Sequence, residues 1–329
     1  MDARKIIALG ESTFSITLPK RWVVANKLRK GDSVLVRELP LGKLEISPGT
    51  REEKPAAKTI NIPVDNRPLK EVEREFIAAY IKGYSIINLI GSHEGKIAEL
   101  RRRLHELIAV EIMEVTKDRI TANVFTDIST ISLPRILSRI ENITMNILQD
   151  TAAVVRKKGD RDLMYRELAE KKREVDRQSL FAIRVIVQAL TDPVFAGQVQ
   201  GIQVDPLALS FVWHLIEYME KTSDYVLNIA FFLTATDSLE KLGPRGREEL
   251  VPLFAAVGQA YTAALRSYNT KSVPLANEVF ELHKKNDRQL YNFLVRYQKH
   301  WVPLITGYLR RTSSKARDIA KVTINVNTA

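Results

Sequence analysis

Residues 217–230 have the sequence Glu-Tyr-Met-Glu-Lys-Thr-Ser-Asp-Tyr-Val-Leu-Asn-Ile-Ala, which combines the apolar spacing of a helix with a row of acids. At 100° per residue, four polar side chains fall on one narrow strip, and an apolar line lies about a third of a turn away. The strip consists of Glu217, Glu220, Asp224 and Asn228, and the line of Val212, Ile216, Met219, Val226, Ala230 and Leu233. This pattern predicts an amphipathic bundle helix. An acidic strip beside a core face is by itself most often a solvated helix edge.

On both sides of this helix, residues 129–329 show long helical patterns with short breaks. Asp160, Asp205-Pro206 and Ser272 are helix start signals, and Asp192-Pro193 and Gly243-Pro244 are stop signals. The breaks predict six helices, at 131–158, 160–190, 206–241, 246–269, 273–299 and 303–324. Two repeats of three helices, packed as a bundle, fit this spacing. The residues from Thr323 onward are expected to be a frayed end.

Residues 58–128 follow a charged linker and predict a small α/β domain. Its strands and helices are expected at 59–64, 68–81, 84–90, 94–108, 111–116 and 119–125. A βαβαββ order over about seventy residues is typical of one small, independently packed layer of helices on a sheet. The run Arg101–Arg103 is expected to be an exposed helix face.

Residues 1–50 predict short strands around one helical turn. Phe14, Ile16 and Leu18 alternate with polar residues, as in a strand with one buried face, and Pro19 ends that run. A turn of helix over 20–28 and a hairpin over 33–46 follow. So few strand residues cannot bury a sufficient core alone, and the chain has no cysteine for a disulfide or a thiolate metal site. Dimerisation is therefore predicted.

The composition excludes several classes of protein. With 45% hydrophobic and 27% charged residues, the chain is neither disordered nor collagen-like. The absence of cysteine excludes iron–sulfur clusters and cysteine nucleophiles. No apolar stretch approaches the ~20 residues of a membrane span, and the first residues lack a signal-peptide core, so a cytoplasmic protein that does not span the membrane is expected.

A formal net charge of +11 favours a polyanionic partner, although charge alone does not separate nucleic acid from an anionic membrane surface. Basic residues are dense within the first thirty positions, and Ser12 is a further phosphate-contact candidate. These DNA-binding candidates are Arg4, Lys5, Ser12, Lys20, Arg21, Lys27, Arg29 and Lys30. A solvated basic face is the alternative interpretation. Because a dimer presents the patch twice with twofold symmetry, duplex DNA is the predicted partner.

No enzymatic activity is expected. The segment Gly91–Ile97 has too short a spacing for a phosphate-binding loop and carries isoleucine where serine or threonine must hold magnesium. His105-Glu106 lacks the second histidine of a zinc protease motif, and none of the five histidines pairs with a serine nucleophile motif. No organic cofactor is expected either.

Two stretches near the N-terminus resemble the AbrB/SpoVT family of DNA-binding domains. They are Leu9-Gly-Glu-Ser-Thr-Phe-Ser-Ile-Thr-Leu-Pro-Lys-Arg-Trp-Val23 and Leu28-Arg-Lys-Gly-Asp-Ser-Val34, and the resemblance covers nearly all of residues 4–48. It implies an interlocked homodimeric β-barrel of swapped hairpins that binds DNA through basic side chains on one face.

The helical part resembles PhoU, a phosphate-signalling regulator with two three-helix repeats. Glu220-Lys-Thr-Ser-Asp224-Tyr-Val-Leu-Asn228-Ile-Ala230 reproduces the family's Glu-x-x-x-Asp metal motif and the Asn-Ile-Ala that follows it. In the sixth helix, residues 310–320 have lost both acids of the motif. In the second helix, Glu174-Val-Asp176 matches the acidic pattern, although Lys172 replaces an upstream acid. The fifth helix keeps Asp287, with His283 four residues before it.

The PhoU resemblance implies one metal site on Glu174, Asp176, Glu220 and Asp224. Hard oxygen ligands of this kind suit Mg, Mn, Ca or Fe. A second site, with His283, Asp287 and Asp318, looks eroded. The whole chain resembles archaeal-type phosphate uptake regulators: multidomain α+β, with an AbrB-like swapped-hairpin β-barrel, a small βαβαββ domain and a PhoU-like six-helix bundle.

Two hypotheses of different classes follow. The first is a homodimeric DNA-binding regulator of phosphate uptake whose bundle senses a signal through bound metal. The second is an adaptor that contacts a phosphate transporter or sensor protein and uses its N-terminal domain only to dimerise. Salt-dependent binding to DNA separates them.

Overall fold

The computed structural model describes residues 3–10, 13–39, 43–49, 58–92, 97–125, 130–156, 159–202, 205–298 and 301–327. The chain divides into two compact units, residues 1–57 and 58–329. The fold is mixed α and β, with the helices concentrated in the C-terminal part. Within these described ranges, no helix is both long enough and apolar enough to cross a membrane.

The described residues of the first unit form two small antiparallel sheets and one short helix. Its elements are β1 (Ile7–Ala8), β2 (Phe14–Ser15), α1 (Lys20–Ala25), β3 (Val34–Leu39) and β4 (Lys43–Pro48). β1 pairs with β2, and β3 pairs with β4 in a register that places Val36 opposite Ile46. The second strand is shorter than the alternation over residues 14–18 predicts, because its pairing partner has only two residues.

Within its described residues the first unit has no buried side chain. Nine large apolar side chains there are about half exposed or more: Ile6, Ile7, Leu9, Phe14, Ile16, Val24, Leu35, Val36 and Leu44. The four strands of the single chain form two separate sheets. The dimeric barrel that the resemblance implies needs a second chain and stays a prediction.

The second unit begins with the βαβαββ order that the sequence predicts. Its elements are β5 (Thr59–Pro63), α2 (Leu69–Ile81), β6 (Ile86–Ile90), α3 (Ile97–His105), β7 (Val110–Val115) and β8 (Arg119–Val124). The sheet order is β5-β6-β8-β7, with β5 and β6 parallel and the other pairs antiparallel. Val72, Phe76 and Tyr80 of α2 are buried in the hydrophobic core that includes Ile87 and Leu89 of β6.

The remaining residues form the helical bundle, which has its own hydrophobic core. Its helices are α4 (Leu133–Val154), α5 (Arg161–Thr191), α6 (Pro193–Gln198), α7 (Pro206–Thr234), α8 (Ser238–Asn269), α9 (Val273–Arg296) and α10 (Val302–Asn327). The long helices pack as two groups of three, α4-α5-α7 and α8-α9-α10, and α7 packs against α10. The predicted start signals act as N-caps, since Asp160 accepts from the Leu163 amide at 3.0 Å and Ser272 from that of Leu275 at 3.3 Å.

Three helix limits differ from the predicted ones. α7 ends at residue 234 rather than 241, because the hydroxyl groups of Thr236 and Ser238 both donate to the Phe232 carbonyl. α8 begins at Ser238 rather than at residue 246, but the backbone of Gly243 is not helical (φ 74°, ψ 172°), so a short first piece is separated from the long helix at the predicted Gly243-Pro244 stop. α10 continues to Asn327: Val322 and Thr323 are buried, so the expectation of a frayed end from residue 323 is wrong.

Candidate functional site

The predicted metal-site acids lie where α5 and α7 pack together. Asp176 lies one helical turn after Lys172 on α5, and Asp224 lies one turn after Glu220 on α7, so each helix presents two polar side chains on one face. Val175 of α5 and Ile216 of α7 are fully buried in the hydrophobic core of the bundle. We call Lys172, Asp176, Glu220, Lys221 and Asp224 the Lys172 cluster.

Lys172 is the central residue of this cluster. Its Nζ lies 2.5 Å from Asp176 Oδ1, 2.6 Å from Asp224 Oδ1 and 3.5 Å from Glu220 Oε1. Lys221 adds a second ammonium group on the α7 side, 3.1 Å from Glu220 Oε2 and 3.0 Å from Asp224 Oδ2. Only 12% of the Lys172 side chain is exposed. The three carboxylates are therefore bridged by lysine.

The protonation equilibria follow from burial and from these contacts. Burial raises the pKa of Asp176, and burial together with the neighbouring Asp224 raises the pKa of Glu220. Burial also acts to raise the pKa of Asp224, but the hydrogen bond and charge of Lys172 outweigh it and lower that pKa. Burial acts to lower the pKa of Lys172, but Asp176 and Asp224 outweigh this effect and raise it. Lys172 therefore stays charged at neutral pH, with Asp224 as its most strongly ionised partner.

Glu174, the fourth predicted ligand, does not join the cluster. It accepts from Arg139 at 2.8 Å, from Arg177 at 3.2 Å and from Gln178 at 2.9 Å. Two positions along a helix turn the side chain by about 200°, so Glu174 and Asp176 lie on opposite sides of α5. The structure thus brings together three of the four predicted ligands and places Lys172 among them.

This donor set does not fit a divalent metal ion in the conformation described. The oxygens of Asp176 and Asp224 that would bind an ion hold the ammonium group of Lys172 instead. Among the residues that the structure describes, no group of three histidine, aspartate or glutamate side chains is arranged to hold a metal. The metal site at these four acids stays a prediction. Its test must ask whether a metal ion can displace the ammonium group of Lys172.

The acids of the predicted second site also have basic partners. Asp287 accepts two hydrogen bonds from Arg310, at 2.6 and 3.1 Å. Asp318 lies 3.1 Å from Lys315 and 3.3 Å from Arg317, and these contacts lower its pKa against the opposing effect of burial. His283 Nδ1 lies 3.0 Å from the Ser313 hydroxyl, and burial together with Arg317 lowers its pKa.

A cavity that sequence reasoning missed opens beside the Lys172 cluster. Its volume is about 620 Å³, and it lies between helices α2 and α3 of the small domain and α5 and α7 of the bundle. Phe76, Ile77 and Leu180 contribute apolar walls, and Arg103 and Arg177 line it as well. No local motif could reveal this cavity, because its walls come from four elements that are distant in sequence.

The predicted DNA-binding residues lie in the first unit. Arg4 and Lys5 precede β1, whereas Lys20 and Arg21 begin α1. Lys27, Arg29 and Lys30 occupy the turn after α1, where the Arg29 amide donates to Asp32 at 2.7 Å. All seven basic residues are exposed, and Ser12 lies outside the described residues. Residues 20–30 therefore present a compact basic segment to solvent.

The arginine run of α3 lies close to acidic side chains. Arg102 and Arg103 each lie 4.0 Å from Glu99, and Arg103 lies 3.7 Å from Glu73. Arg101 and Arg102 are exposed, as the sequence predicts for a helix face.

No protein-family model matches this sequence, and no curated protein matches it. Among solved structures, the chain is similar to the crystal structure of PhoU from Pseudomonas aeruginosa, at 15% sequence identity and a TM-score of 0.46. The similarity covers 59% of this chain and 94% of that one. At this identity and TM-score the likeness decides nothing about function.

Proposed function

We propose that this protein is a homodimeric DNA-binding regulator of phosphate uptake, in which the helical bundle transmits a signal to an N-terminal DNA-binding domain. The main support for the proposal is that the described residues of the first unit form no buried core in the single chain. These residues bury no side chain and expose nine large apolar ones, next to seven exposed basic residues. A segment of this kind gains its core from a second copy.

The charge of the first unit supports DNA as the partner. Between Lys20 and Lys30 the chain carries five basic residues and no acidic one. Pairing two chains doubles this charge with twofold symmetry, which matches the symmetry of duplex DNA. Each phosphate that a lysine or arginine neutralises releases counterions, and this release favours binding.

The phosphate part of the proposal rests on the sequence resemblance to PhoU and on the bundle. Residues 220–230 reproduce the PhoU motif, and the six long helices pack as two groups of three. Sensing through bound Mg, Mn, Ca or Fe at Glu174, Asp176, Glu220 and Asp224 remains the untested version of this hypothesis. The contacts of Lys172 argue against it in the conformation described.

The test is the salt dependence of DNA binding by the full-length protein, measured by fluorescence anisotropy with a labelled duplex. The logarithm of the binding constant is expected to fall with that of salt concentration, with a slope near −0.9 per phosphate contact. Lys20→Ala with Arg21→Ala removes up to about four contacts from a dimer and flattens the slope. Both side chains are charged rather than apolar, so the apolar surface that the second copy covers is kept and the dimer is expected to persist.

Arg101→Ala with Arg102→Ala is the matched control, because it removes the same charge from an exposed helix of the small domain. Its slope is expected to equal that of the wild type. Equal weakening by both pairs means that overall charge, not the N-terminal unit, attracts DNA. An intact dimer with no salt-dependent DNA binding supports instead the adaptor that contacts a phosphate transporter or sensor protein.

A further inference from the structure

The ammonium group of Lys172 has three N–H donors, and a different carboxylate lies within 3.5 Å of its Nζ for each of them. We propose that Lys172 is a built-in cation that takes the place of a divalent metal ion between α5 and α7, so that this junction is held together without metal. The inference concerns the bundle alone and does not depend on DNA binding.

The distances leave no room for both cations. Divalent ions bind carboxylate oxygens at about 2.0–2.6 Å. The Nζ of Lys172 already lies 2.5 Å from one oxygen of Asp176 and 2.6 Å from one of Asp224. These two oxygens come from different helices. A metal at this position must therefore displace the ammonium group.

Burial makes that displacement costly. Only 12% of the Lys172 side chain is exposed, and an ion that displaced its ammonium group would break the contacts with Asp176, Glu220 and Asp224. Lys221 adds a second positive charge that contacts Glu220 and Asp224. Two ammonium groups thus face three carboxylates, and this charge balance weakens the attraction for a further dication.

In the second repeat of the bundle a basic side chain also pairs with an aspartate, at a more exposed position. Arg310 lies eight residues before Asp318-Ile-Ala, as Glu220 lies eight residues before Asn228-Ile-Ala. Its guanidinium donates to both oxygens of Asp287, from α10 to α9, at 2.6 and 3.1 Å. In each repeat, therefore, a basic side chain contacts an aspartate of the neighbouring helix: Lys172 contacts Asp224, and Arg310 contacts Asp287.

The experiment titrates the full-length protein with Mn²⁺ and follows the free ion by electron paramagnetic resonance. The wild type is expected to show no saturable binding that depends on Asp224, and neither Mn²⁺ nor a chelator shifts its melting temperature. Lys172→Met removes the charge and keeps an unbranched side chain of similar length. It is expected to raise the affinity for Mn²⁺ about tenfold or more, because three carboxylates then face only one ammonium group.

Two controls separate this site from general acidity. Lys171→Met removes the same charge from the neighbouring position, whose Nζ contacts Asp150 at 2.5 Å outside the cluster. It is expected to gain no Mn²⁺ binding. Adding Asp224→Asn to Lys172→Met is expected to abolish the gain, because it removes a ligand shared between the helices. Lys172→Gln is the second variant, should the methionine substitution prevent folding.

Two results overturn the proposal. The first is saturable Mn²⁺ binding by the wild type that Asp224→Asn abolishes, since it shows that the metal displaces Lys172. The second is a folded Lys172→Met or Lys172→Gln protein that binds Mn²⁺ no better than the wild type, since it shows that Lys172 does not occupy a metal position. Loss of DNA binding in any of these variants bears on the proposed function and leaves the metal result unchanged.

Discussion

The guanidinium of Arg184 in α5 lies 4.9 Å from the centroid of the Tyr80 ring in α2 and donates to the Tyr80 carbonyl oxygen. It also donates to the Tyr84 carbonyl at 3.2 Å. Arg184 is 2% exposed, and burial lowers its pKa to about 10, so it is still charged at neutral pH. Both carbonyls lie at or just beyond the C-terminus of α2, where the helix dipole favours a cation. This residue joins the small domain to the bundle.

We expect Arg184→Ala to lower the free energy of unfolding by about 2–4 kcal/mol, because it leaves a cavity and removes donors from two carbonyls. Urea denaturation followed by circular dichroism measures the change. Arg173→Ala is the control on the same helix; its side chain is half exposed, and a change within about 0.5 kcal/mol is expected. A fully stable Arg184→Ala protein would show that the two domains pack without this arginine.

The stability of the bundle should depend on pH through His283. Burial and the charge of Arg317, assisted by Arg310, lower the pKa of His283 below its ordinary value of 6.5, against the opposite effect of Asp287 and Asp318. Between the lowered pKa of the folded state and the ordinary value of 6.5, the unfolded chain binds more protons than the folded one. The free energy of unfolding therefore rises with pH in this range, and the contribution of His283 is lost as the pH falls below about 6.5.

His283→Gln cannot titrate and keeps a polar group near the Ser313 hydroxyl. The free energy of unfolding of the wild type is therefore expected to fall more between pH 7.5 and pH 5.5 than that of His283→Gln, measured in urea at each pH. Above about pH 7 the two curves should run parallel, because His283 is neutral in both states. Parallel curves over the whole range would mean that the fold does not favour neutral His283.

The C-terminal turns of α10 should contribute to stability. Val322 is buried, and the Thr323 hydroxyl lies 3.0 Å from that of Ser267 in the bundle interior. Val322→Ala is expected to cost about 2 kcal/mol through lost burial and a small cavity. Val326→Ala makes the same change at a 42% exposed position of the same helix and should cost about 0.5 kcal/mol or less. Equal effects on chemical denaturation would restore the expectation of a frayed end.

The oligomeric state should depend on the exposed apolar residues of the first unit. Phe14 is 67% exposed in the single chain. Phe14→Ser is expected to shift the full-length protein from dimer toward monomer in sedimentation velocity, because it removes apolar surface that the second copy covers. Phe125→Ser, at a 55% exposed position of the second unit, serves as the control and should leave the dimer intact. A dimer insensitive to Phe14→Ser would place the interface elsewhere.

The helices of the bundle could be predicted from the chain because their determinants are local. Helix hydrogen bonds connect residues four apart, and the capping residues Asp160, Asp205 and Ser272 accept from amides two or three positions away. The apolar spacing around Ile216 and Val226 likewise marks the face that becomes buried. The limits that sequence reasoning missed depend on side chains outside the helix pattern, as at Thr236 and Ser238.

The candidate site was accessible to sequence reasoning only in part. The spacing of Glu220 and Asp224 predicts that they share a face, but a linear motif also groups Glu174 with Asp176, which helix geometry separates. The position of the Lys172 ammonium group follows from the packing of α5 on α7. The pairing of Arg184 with Tyr80 joins residues 104 positions apart. Periodicity and capping act over a few residues, whereas a buried charge takes its partners from whichever elements tertiary packing brings within hydrogen-bond distance.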